Sequence, residues 1–233
     1  MGTAMNDTTL AGGRGKRRAV CVLSGGMDST TLLHELLHDG YETYAISFDY
    51  GQRHKKELEF AARTCEKLGV THRVVDISDV QGVLGGSALT DAEIDVPEGH
   101  YEDQSMRATV VPNRNMIMLA IAGGWAVALE VDILAAAMHG GDHAIYPDCR
   151  EEFVQLFAAA LKAGNYHQVE TYVPYLHKSK AEVAAIGLRL GIDYAEDTWS
   201  CYKGEVEPCG KCGTCVEREE ALAAARGSRA GGE

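Results

Sequence analysis

The feature that most constrains the fold is a short apolar run that passes through a glycine turn into a helix. Residues 19–23 are all apolar, as expected for a strand buried on both faces of a sheet. The turn that follows reads Ser24-Gly25-Gly26-Met27-Asp28-Ser29-Thr30. Leucines then recur on one side of a helical pattern, at Leu32, Leu33, Leu36 and Leu37. A buried strand that leads directly into a helix is the repeating unit of an α/β fold.

The same alternation continues along the chain. Further strands are predicted at residues 43–48, 71–77, 133–137 and 169–173. Further helices are predicted at residues 54–68, 115–129, 151–162 and 179–190, and the second of these is expected to be buried almost all round. The pattern predicts a doubly wound α/β domain with a mainly parallel sheet, in which ligands bind beyond the carboxyl ends of the strands.

Three other segments complete the predicted organisation. Residues 1–17 read as a flexible leader, residues 18–198 as the nucleotide-binding domain, and residues 199–233 as a small C-terminal module with a helix. Residues 78–112 show no clear periodicity. A segment this long is either a functional loop, such as an active-site lid, or a surface excursion that contains a hairpin.

Charge and apolar content exclude several classes of protein. The chain has 34 acidic against 22 basic residues, a formal net charge of −12, which argues against a nucleic-acid partner. No stretch approaches the roughly 20 apolar residues of a membrane span, and the N-terminus lacks the pattern of a secretory signal. We therefore expect no membrane partner and a cytoplasmic location, where seven cysteines indicate thiols and metal sites rather than disulfides.

The glycine turn is suited to phosphate. Gly25 and Gly26 let a ligand approach the main chain, and the amides at the start of the next helix attract anions. Asp28 would repel bare phosphate, but it makes sense as a ligand of Mg²⁺ bound together with phosphate. The alternatives are that the glycines serve the turn for steric reasons alone and that Asp28 or a serine caps the helix.

Four cysteines near the C-terminus predict a metal site. Cys201, Cys209, Cys212 and Cys215 have the spacing C-x7-C-x2-C-x2-C. Four thiolates fill a tetrahedral zinc site and leave no position for a catalytic water, so we expect one structural Zn²⁺ per chain. An iron–sulfur cluster and a redox Cys-x-x-Cys pair are the alternatives. The remaining cysteines, Cys21, Cys65 and Cys149, are interpreted as structural.

The turn resembles the pyrophosphate loop of the adenylating PP-loop ATPases, and other strings resemble one family of them. These strings are Phe48-Asp49-Tyr50-Gly51-Gln52-Arg53-His54, Val111-Pro112-Asn113-Arg114-Asn115, Tyr146-Pro147-Asp148-Cys149-Arg150 and Cys201-Tyr202. They are similar to the signature strings of the 7-cyano-7-deazaguanine synthase family, QueC, over residues 18–220. The resemblance implies an ATP-dependent ligase that converts 7-carboxy-7-deazaguanine and ammonia into a nitrile, and it implies a homodimer.

The resemblance assigns residues to this reaction. ATP is expected to contact Leu23, Ser24, Gly25, Gly26, Met27, Asp28, Ser29, Thr30, Thr31, Leu32 and Leu33. Catalysis is expected to use Asp28, Arg114 and Lys180, although Lys180 could instead lie in a solvated first helical turn. The substrate is expected to contact Asp49, Gln52, Arg53, Asn115, Asp142, Tyr146, Asp148 and Arg150.

Other interpretations remain open at this stage. Asp148 could accept from the guanine-like edge of the substrate or could cap the helix that follows it. His54, His139, His143 and His177 are interpreted as ordinary polar residues. The alternative functions are a different PP-loop enzyme, such as a tRNA sulfur transferase, and a zinc-knuckle binding protein with a vestigial nucleotide loop.

Overall fold

A computed structural model of the chain describes residues 15–84, 86–91, 93–98 and 104–230. The strands are β1 (Arg18–Val22), β2 (Glu42–Asp49), β3 (Thr71–Asp76), β4 (Ile133–Ala135) and β5 (Glu170–Tyr172). They form a parallel sheet in the order β3-β2-β1-β4-β5. The doubly wound α/β fold predicted from the sequence is therefore confirmed.

The helices connect these strands and extend the chain past the sheet. They are α1 (Met27–His38), α2 (Lys56–Leu68), α3 (Gln81–Leu84), α4 (Arg114–Ala128), α5 (Glu151–Ala163), α6 (Lys180–Arg189), α7 (Tyr194–Asp197) and α8 (Gly213–Ala230). The ends of the predicted strands and later helices lie within two residues of the observed ones. The short helices α3 and α7 were not predicted, because one turn is too short to show a helical period.

Side chains alternate across the sheet and build a core on each face. On β1, Val20 packs in a cluster with Leu119 of α4 and Phe157 of α5. Its neighbour Cys21 points to the other face, where Leu32 of α1 packs. Burial of each large side chain contributes about 1.5–3 kcal/mol. Both faces of β1 are covered, which explains why the strand is apolar at every position.

Helix α4 differs from its prediction, because one of its faces is exposed. Leu119, Ala122 and Ala126 are buried against the sheet. The opposite face is exposed and consists of Met116, Ala120, Gly124 and Ala128. Small apolar residues occur in both environments, so the sequence pattern did not distinguish the two faces.

The described part of residues 78–112 packs as one wall of the molecule. It contains short helical turns, at Ser78–Val80, in α3 and at Gln104–Thr109, and no hairpin among its described residues. Met106 is fully buried, and the Arg53 amide donates to the carbonyl of Leu89 at 2.9 Å. Residues 85, 92 and 99–103 lie outside the described part, and a lid movement stays a prediction.

The C-terminal helix α8 packs on α6 and on the start of α1. Leu222 and Ala225 of α8 share a buried cluster with Ala184 of α6 and with Met27, the first residue of α1. The division at residue 198 stays a prediction, and most of the predicted leader lies outside the described residues, at 1–14. In the described part of the chain, every helix is too short or too polar to cross a membrane.

The order of the strands creates a crevice. The chain runs from β1 to β2 on one side, then crosses to β4 on the other side of β1. The loops that follow β1 and β4 therefore leave the sheet in opposite directions, which opens a space at the carboxyl ends of these two strands.

Candidate active site and metal-binding cysteines

A cavity of about 260 Å³ occupies this crevice. Its wall includes residues after β1, β2 and β4, the first turns of α4 and α6, and residues near the cysteine cluster. Of the residues assigned from the sequence, those that line it are Ser24, Gly26, Met27, Asp28, Ser29, Gln52, Arg114, Asn115, Asp142, Tyr146 and Lys180. Segments more than 150 residues apart in the sequence thus meet in one cavity.

The two glycines of the turn have different roles. Gly25 has a φ of +88°, and a Cβ there would lie 2.0 Å from the backbone oxygen of Glu57. A glycine is required at this position because the turn packs closely on α2. For Gly25, the purely steric role considered from the sequence is therefore the observed one. Gly26 has a φ of −79° and lines the cavity, and a Cβ there would lie 3.2 Å from Ser24 Oγ. The missing side chain at Gly26 therefore leaves space in the cavity for a ligand, whereas the missing side chain at Gly25 leaves space for helix α2.

Hydrogen bonds preform the turn. The hydroxyls of Ser24 and Ser29 lie 2.9 Å apart, and the Gly26 amide donates to Ser24 Oγ at 3.2 Å. Helix α1 begins without a side-chain cap, so the capping role considered for Asp28 and the serines is wrong. Amides at an uncapped helix start are free to bind an anion.

Four residues of the predicted ATP-binding run, one at its start and three at its end, face away from the cavity. Leu23, Leu32 and Leu33 are fully buried in the core. Thr31 is also fully buried, and its hydroxyl lies 2.7 Å from that of Tyr194. Leu23 precedes the glycine turn, and Thr31, Leu32 and Leu33 follow the first turn of α1, whose residues Met27, Asp28 and Ser29 line the cavity. The side chains of these four residues are therefore not brought to the site.

Asp28 lies in the cavity between two basic groups. Its Oδ2 is 3.3 Å from Lys180 Nζ and 3.7 Å from His139 Nε2. Its Oδ1 is buried and has no hydrogen-bond partner among the described residues. Burial would raise the pKa of Asp28, but the Lys180 ammonium and, less strongly, the neighbouring His139 outweigh burial and hold that pKa below its ordinary value. An ionised carboxylate with one open oxygen fits a divalent cation.

Lys180 is held at the start of α6 by a hydrogen-bonded cap. Ser179 and Glu182 form a reciprocal capping box that fixes the first turn. The Lys180 side chain is only 12% exposed, and its Nζ lies 2.7 Å from Glu217 Oε2 of α8. The solvated position considered for Lys180 is therefore wrong. Burial would lower the pKa of Lys180, but Asp28 and Glu217 raise it, so the amine stays charged.

Arg114 lies among aromatic rings at the start of α4. Its guanidinium carbon is 5.8 Å from the ring centre of Tyr50 and 5.7 Å from that of Tyr146. Tyr146 is itself fixed, because its hydroxyl lies 2.6 Å from Thr109 Oγ1. The aromatic faces orient the cation without neutralising it, so Arg114 can still pair with an anion in the cavity.

Four of the predicted substrate contacts lie outside the cavity wall and have protein partners instead, namely Asp49, Arg53, Asp148 and Arg150. The carboxylate of Asp49 pairs with Lys55 at 2.5 Å. The guanidinium of Arg53 donates to the carbonyl of Ile94 at 3.1 Å, and that of Arg150 to the carbonyl of His143 at 2.9 Å. Motif position alone could not reveal these partners, because Lys55, Ile94 and His143 all lie outside the strings that carried the resemblance.

Asp148 has a role that neither interpretation of it predicted. Its Oδ2 accepts from the backbone N–H of Asn115 at 3.0 Å, and so satisfies an amide in the first turn of α4. It does not cap α5, which begins without a side-chain cap. In addition, the side-chain amide of Asn115 donates to the backbone carbonyl of Asp148 at 3.2 Å. Asp148 thus positions Asn115 and, next to it, Arg114.

The four C-terminal cysteines converge. The sulfurs of Cys201, Cys209, Cys212 and Cys215 all lie within 4.8 Å of one another and could hold a metal ion. Backbone amides donate to them, as from Lys203 and Cys209 to Cys201 Sγ at 3.4 Å. Gly210, between two ligands, has a φ of +69°, which lets the chain reverse there. Sequence spacing and structure agree on this site.

The three other cysteines divide into two groups. Cys21 and Cys65 belong to the core. Cys149 lines the cavity, and its sulfur is 3.3 Å from Asn115 Nδ2. The sequence had suggested only a structural role for Cys149. Burial raises the pKa of Cys149, so it remains a thiol rather than the nucleophilic thiolate.

Several residues of the cavity were not selected from the sequence. They include Tyr50, His54, Glu57, Met118, Cys149, Tyr202 and Thr214. Tyr50, His54, Cys149 and Tyr202 stood within the strings that carried the resemblance, and that was the available signal. No sequence signal pointed to Glu57 or to Glu217, the partner of Lys180. Each reaches the site from a helix whose packing cannot be read from the sequence.

Known proteins resemble this chain over most of its length. A family model described as "Queuosine biosynthesis protein QueC" matches residues 18–226. A curated 7-cyano-7-deazaguanine synthase from Hahella chejuensis is 55% identical, over 93% of this chain and 91% of that protein. One from Caldicellulosiruptor saccharolyticus is also 55% identical, over 88% and 90%. A solved NH3-dependent NAD synthetase from Campylobacter jejuni is 18% identical, with a TM-score of 0.45 over 79% of this chain and 69% of that one.

Proposed function

The chain belongs to the QueC family of queuosine biosynthesis proteins, and on that premise we propose that it is an ATP-dependent ligase that converts 7-carboxy-7-deazaguanine and ammonia into 7-cyano-7-deazaguanine. The observation that carries the proposal is the convergence of the glycine turn, Asp28, Lys180 and Arg114 on one cavity at the carboxyl ends of β1 and β4. The net charge of −12 supports a free-base substrate rather than tRNA.

The glycine turn holds the β- and γ-phosphates of ATP. The uncapped amides at the start of α1 and the hydroxyls of Ser24 and Ser29 surround the space beside Gly26, where they favour pyrophosphate. Pyrophosphate is then the leaving group, and the substrate carboxylate attacks the α-phosphorus. AMP is transferred and an acyl adenylate forms.

Asp28 would hold Mg²⁺ together with the phosphates, because one of its oxygens is buried and without a partner among the described residues. When bound, the ion neutralises charge on the pyrophosphate. Lys180 adds a fixed positive charge 3.3 Å from Asp28. Arg114, held between Tyr50 and Tyr146, is placed to pair with the carboxylate or phosphate of the reacting groups.

The route from acid to nitrile needs two activations. A carboxylate does not react with ammonia until its oxygen becomes a leaving group, and adenylation provides one. Ammonia then displaces AMP and gives a primary amide. The amide oxygen is again a poor leaving group, so a second ATP adenylates it, and elimination of AMP leaves the nitrile. No covalent enzyme intermediate is required, and the thiol state of Cys149 supports this route.

The cysteine cluster holds one structural Zn²⁺ per chain. Four convergent sulfurs that accept backbone amides suit tetrahedral zinc and leave no open position for catalysis. The cluster supports the cavity wall, since Tyr202 and Thr214 line the cavity beside Cys201 and Cys215.

The protein acts in the cytoplasm as a homodimer. None of the seven cysteines forms a disulfide, which supports a reducing compartment. The exposed apolar face of α4, with Met116 at 37% exposure, supports pairing with another surface, as does Leu156 of α5 at 65%. Light scattering of the purified protein tests the dimer, and a monomer at all concentrations would contradict it.

ATP turnover with a panel of carboxylates tests the function. With 7-carboxy-7-deazaguanine and ammonium, the products should be AMP, pyrophosphate and the nitrile, identified by mass spectrometry. Release of ADP and phosphate would overturn the assignment of the glycine turn. Turnover with a different carboxylate, or sulfur transfer to tRNA, would overturn the substrate.

A further inference from the structure

Glu57 is a carboxylate in the cavity wall that the reaction described above does not use. It is the second residue of α2 and lines the cavity with Tyr50, Arg114 and Tyr202. Within the described part of the chain, its carboxylate interacts with the charges of Arg114 and Lys180, but without a hydrogen bond or a close ion pair. It is therefore a negative group at the site whose charge is not fully compensated.

The ordinary role of glutamate in a first helical turn does not account for Glu57. Such residues favour the positive end of the helix dipole and lie in water. Glu59, in the same turn, is exposed in this way. Glu57 faces the cavity instead, and burial raises its pKa from 4.5 to about 7 against the lowering effect of Arg114 and Lys180. A carboxyl group with a pKa near neutrality can accept and release a proton under working conditions.

The proposed function, on which this inference rests, creates a need for such a group. Ammonia in neutral water is almost entirely ammonium, which has no lone pair and cannot attack an acyl adenylate. The site must bind the cation and remove a proton. Of the other carboxylates in the cavity wall, Asp28 pairs with Lys180, and Asp142 accepts from the His139 amide at 3.4 Å. Glu57 is the carboxylate left with the charge and the pKa to do both.

We propose that Glu57 binds ammonium and acts as the base that converts it into ammonia. One N–H bond breaks, its electrons remain on nitrogen as the lone pair, and the proton passes to the Glu57 carboxylate. The lone pair forms the C–N bond, and the bond from the acyl carbon to AMP oxygen breaks with its electrons leaving on AMP. The amide nitrogen loses a further proton to solvent, and Glu57 releases its own proton before the next cycle.

Four groups interact electrostatically with Glu57. They are Tyr50 after β2, Arg114 on α4, Lys180 on α6 and Tyr202 after Cys201. The two cations keep the carboxylate from holding its proton too tightly.

The variant Glu57→Gln separates ammonia use from adenylation. The kcat/KM for ammonium should fall by about 100-fold or more, the usual contribution of a positioned base. Exchange of pyrophosphate into ATP, measured with 7-carboxy-7-deazaguanine and without ammonium, should stay near the wild-type rate. Hydroxylamine, which is largely unprotonated at neutral pH, should still trap the acyl adenylate as a hydroxamate. Raising the pH should restore the variant's rate in step with the fraction of free ammonia.

Matched variants complete the experiment. Glu59→Gln makes the same change on an exposed residue of the same helical turn and should leave all rates unchanged. Glu57→Asp should recover part of the ammonium-dependent rate. Unchanged ammonium kinetics in Glu57→Gln, or equal loss of exchange and hydroxamate formation, would overturn the proposal. Absence of exchange in the wild-type protein would instead overturn the proposed function.

Discussion

Lys180 and Glu217 form a buried ion pair, with Nζ and Oε2 2.7 Å apart, that joins the start of α6 to α8. The other side of the Lys180 amine faces Asp28 at 3.3 Å. The Lys180 amine is thus held between a residue of the glycine turn and a residue of the helix that begins in the cysteine cluster. Damage to the cysteine cluster should therefore reach the nucleotide site through Glu217.

Glu217→Ala should weaken both the fold and nucleotide binding. Removal of one partner of a buried pair costs about 3–5 kcal/mol when nothing replaces it, and we expect roughly 2 kcal/mol here because Lys180 keeps Asp28. The KM for ATP should rise, since Lys180 is no longer fixed. Chemical denaturation and steady-state kinetics measure the two effects. Glu219→Ala, on the exposed side of α8, should change neither, and equal behaviour of the two variants would contradict the role of Glu217.

Gly25→Ala and Gly26→Ala should fail in different ways. Gly25 has a left-handed backbone conformation, and a Cβ there would collide with the backbone of α2. The Gly25→Ala variant should therefore lose at least about 2 kcal/mol of stability. A Cβ at Gly26 would lie 3.2 Å from Ser24 Oγ and 3.6 Å from the Trp199 carbonyl oxygen, far less crowded than at Gly25, so that variant should fold and lose ATP affinity. Thermal unfolding and ATP titration calorimetry distinguish the two. Similar melting temperatures would show that the packing of Gly25 on α2 is not needed.

Purified protein should contain about one zinc per chain by elemental analysis. Cys209→Ser should remove the metal and unfold at least the C-terminal segment, since structural zinc contributes roughly 10–16 kcal/mol in small peptides. Cys65→Ala, a change to a buried core cysteine, should keep the zinc. Iron in the protein, or full stability without metal, would refute the zinc assignment.

The synthetic primary amide should be accepted as a substrate. It should give nitrile without added ammonium, and the acid should consume two ATP per nitrile. Cys149→Ser should stay active, because the thiol has a raised pKa and is assigned no bond to the substrate. Mass spectrometry of quenched enzyme provides the check. An inert amide, or an adduct on Cys149, would rule out two successive adenylations.

Stability should depend on pH through Glu57. Its pKa is raised from 4.5 to about 7 in the folded protein, so the folded state binds the proton more tightly than the unfolded chain. The contribution of Glu57 to stability is therefore present below about pH 4.5 and is lost as the pH rises through 7. Glu57→Gln, which cannot ionise, should be more stable than the wild type at pH 8, and their difference should narrow as the pH falls. Parallel stability curves of the two proteins would refute the raised pKa.

The sequence by itself determined the parts of this protein that depend on neighbouring residues. The elements β1, the glycine turn and α1 could be predicted from five apolar positions, Ser24 with two glycines, and a helical pattern of leucines. Burial of a strand on both faces and the period of a helix each produce a pattern of apolar residues that is visible in the sequence. The same holds for the four cysteines, since a short spacing limits how far apart Cys209, Cys212 and Cys215 can lie.

Tertiary packing decided which of the candidate side chains meet. Asp148 was equally suited to a substrate or to the next helix, and only the approach of α4 placed the Asn115 amide 3.0 Å from it. Glu217 is 37 residues from Lys180 and reaches it because α8 packs along α6. Glu57 looked like any other first-turn glutamate until the turn at Gly25 packed against α2 and brought it to the cavity. Local patterns specify elements, but contacts between elements depend on how whole faces fit together.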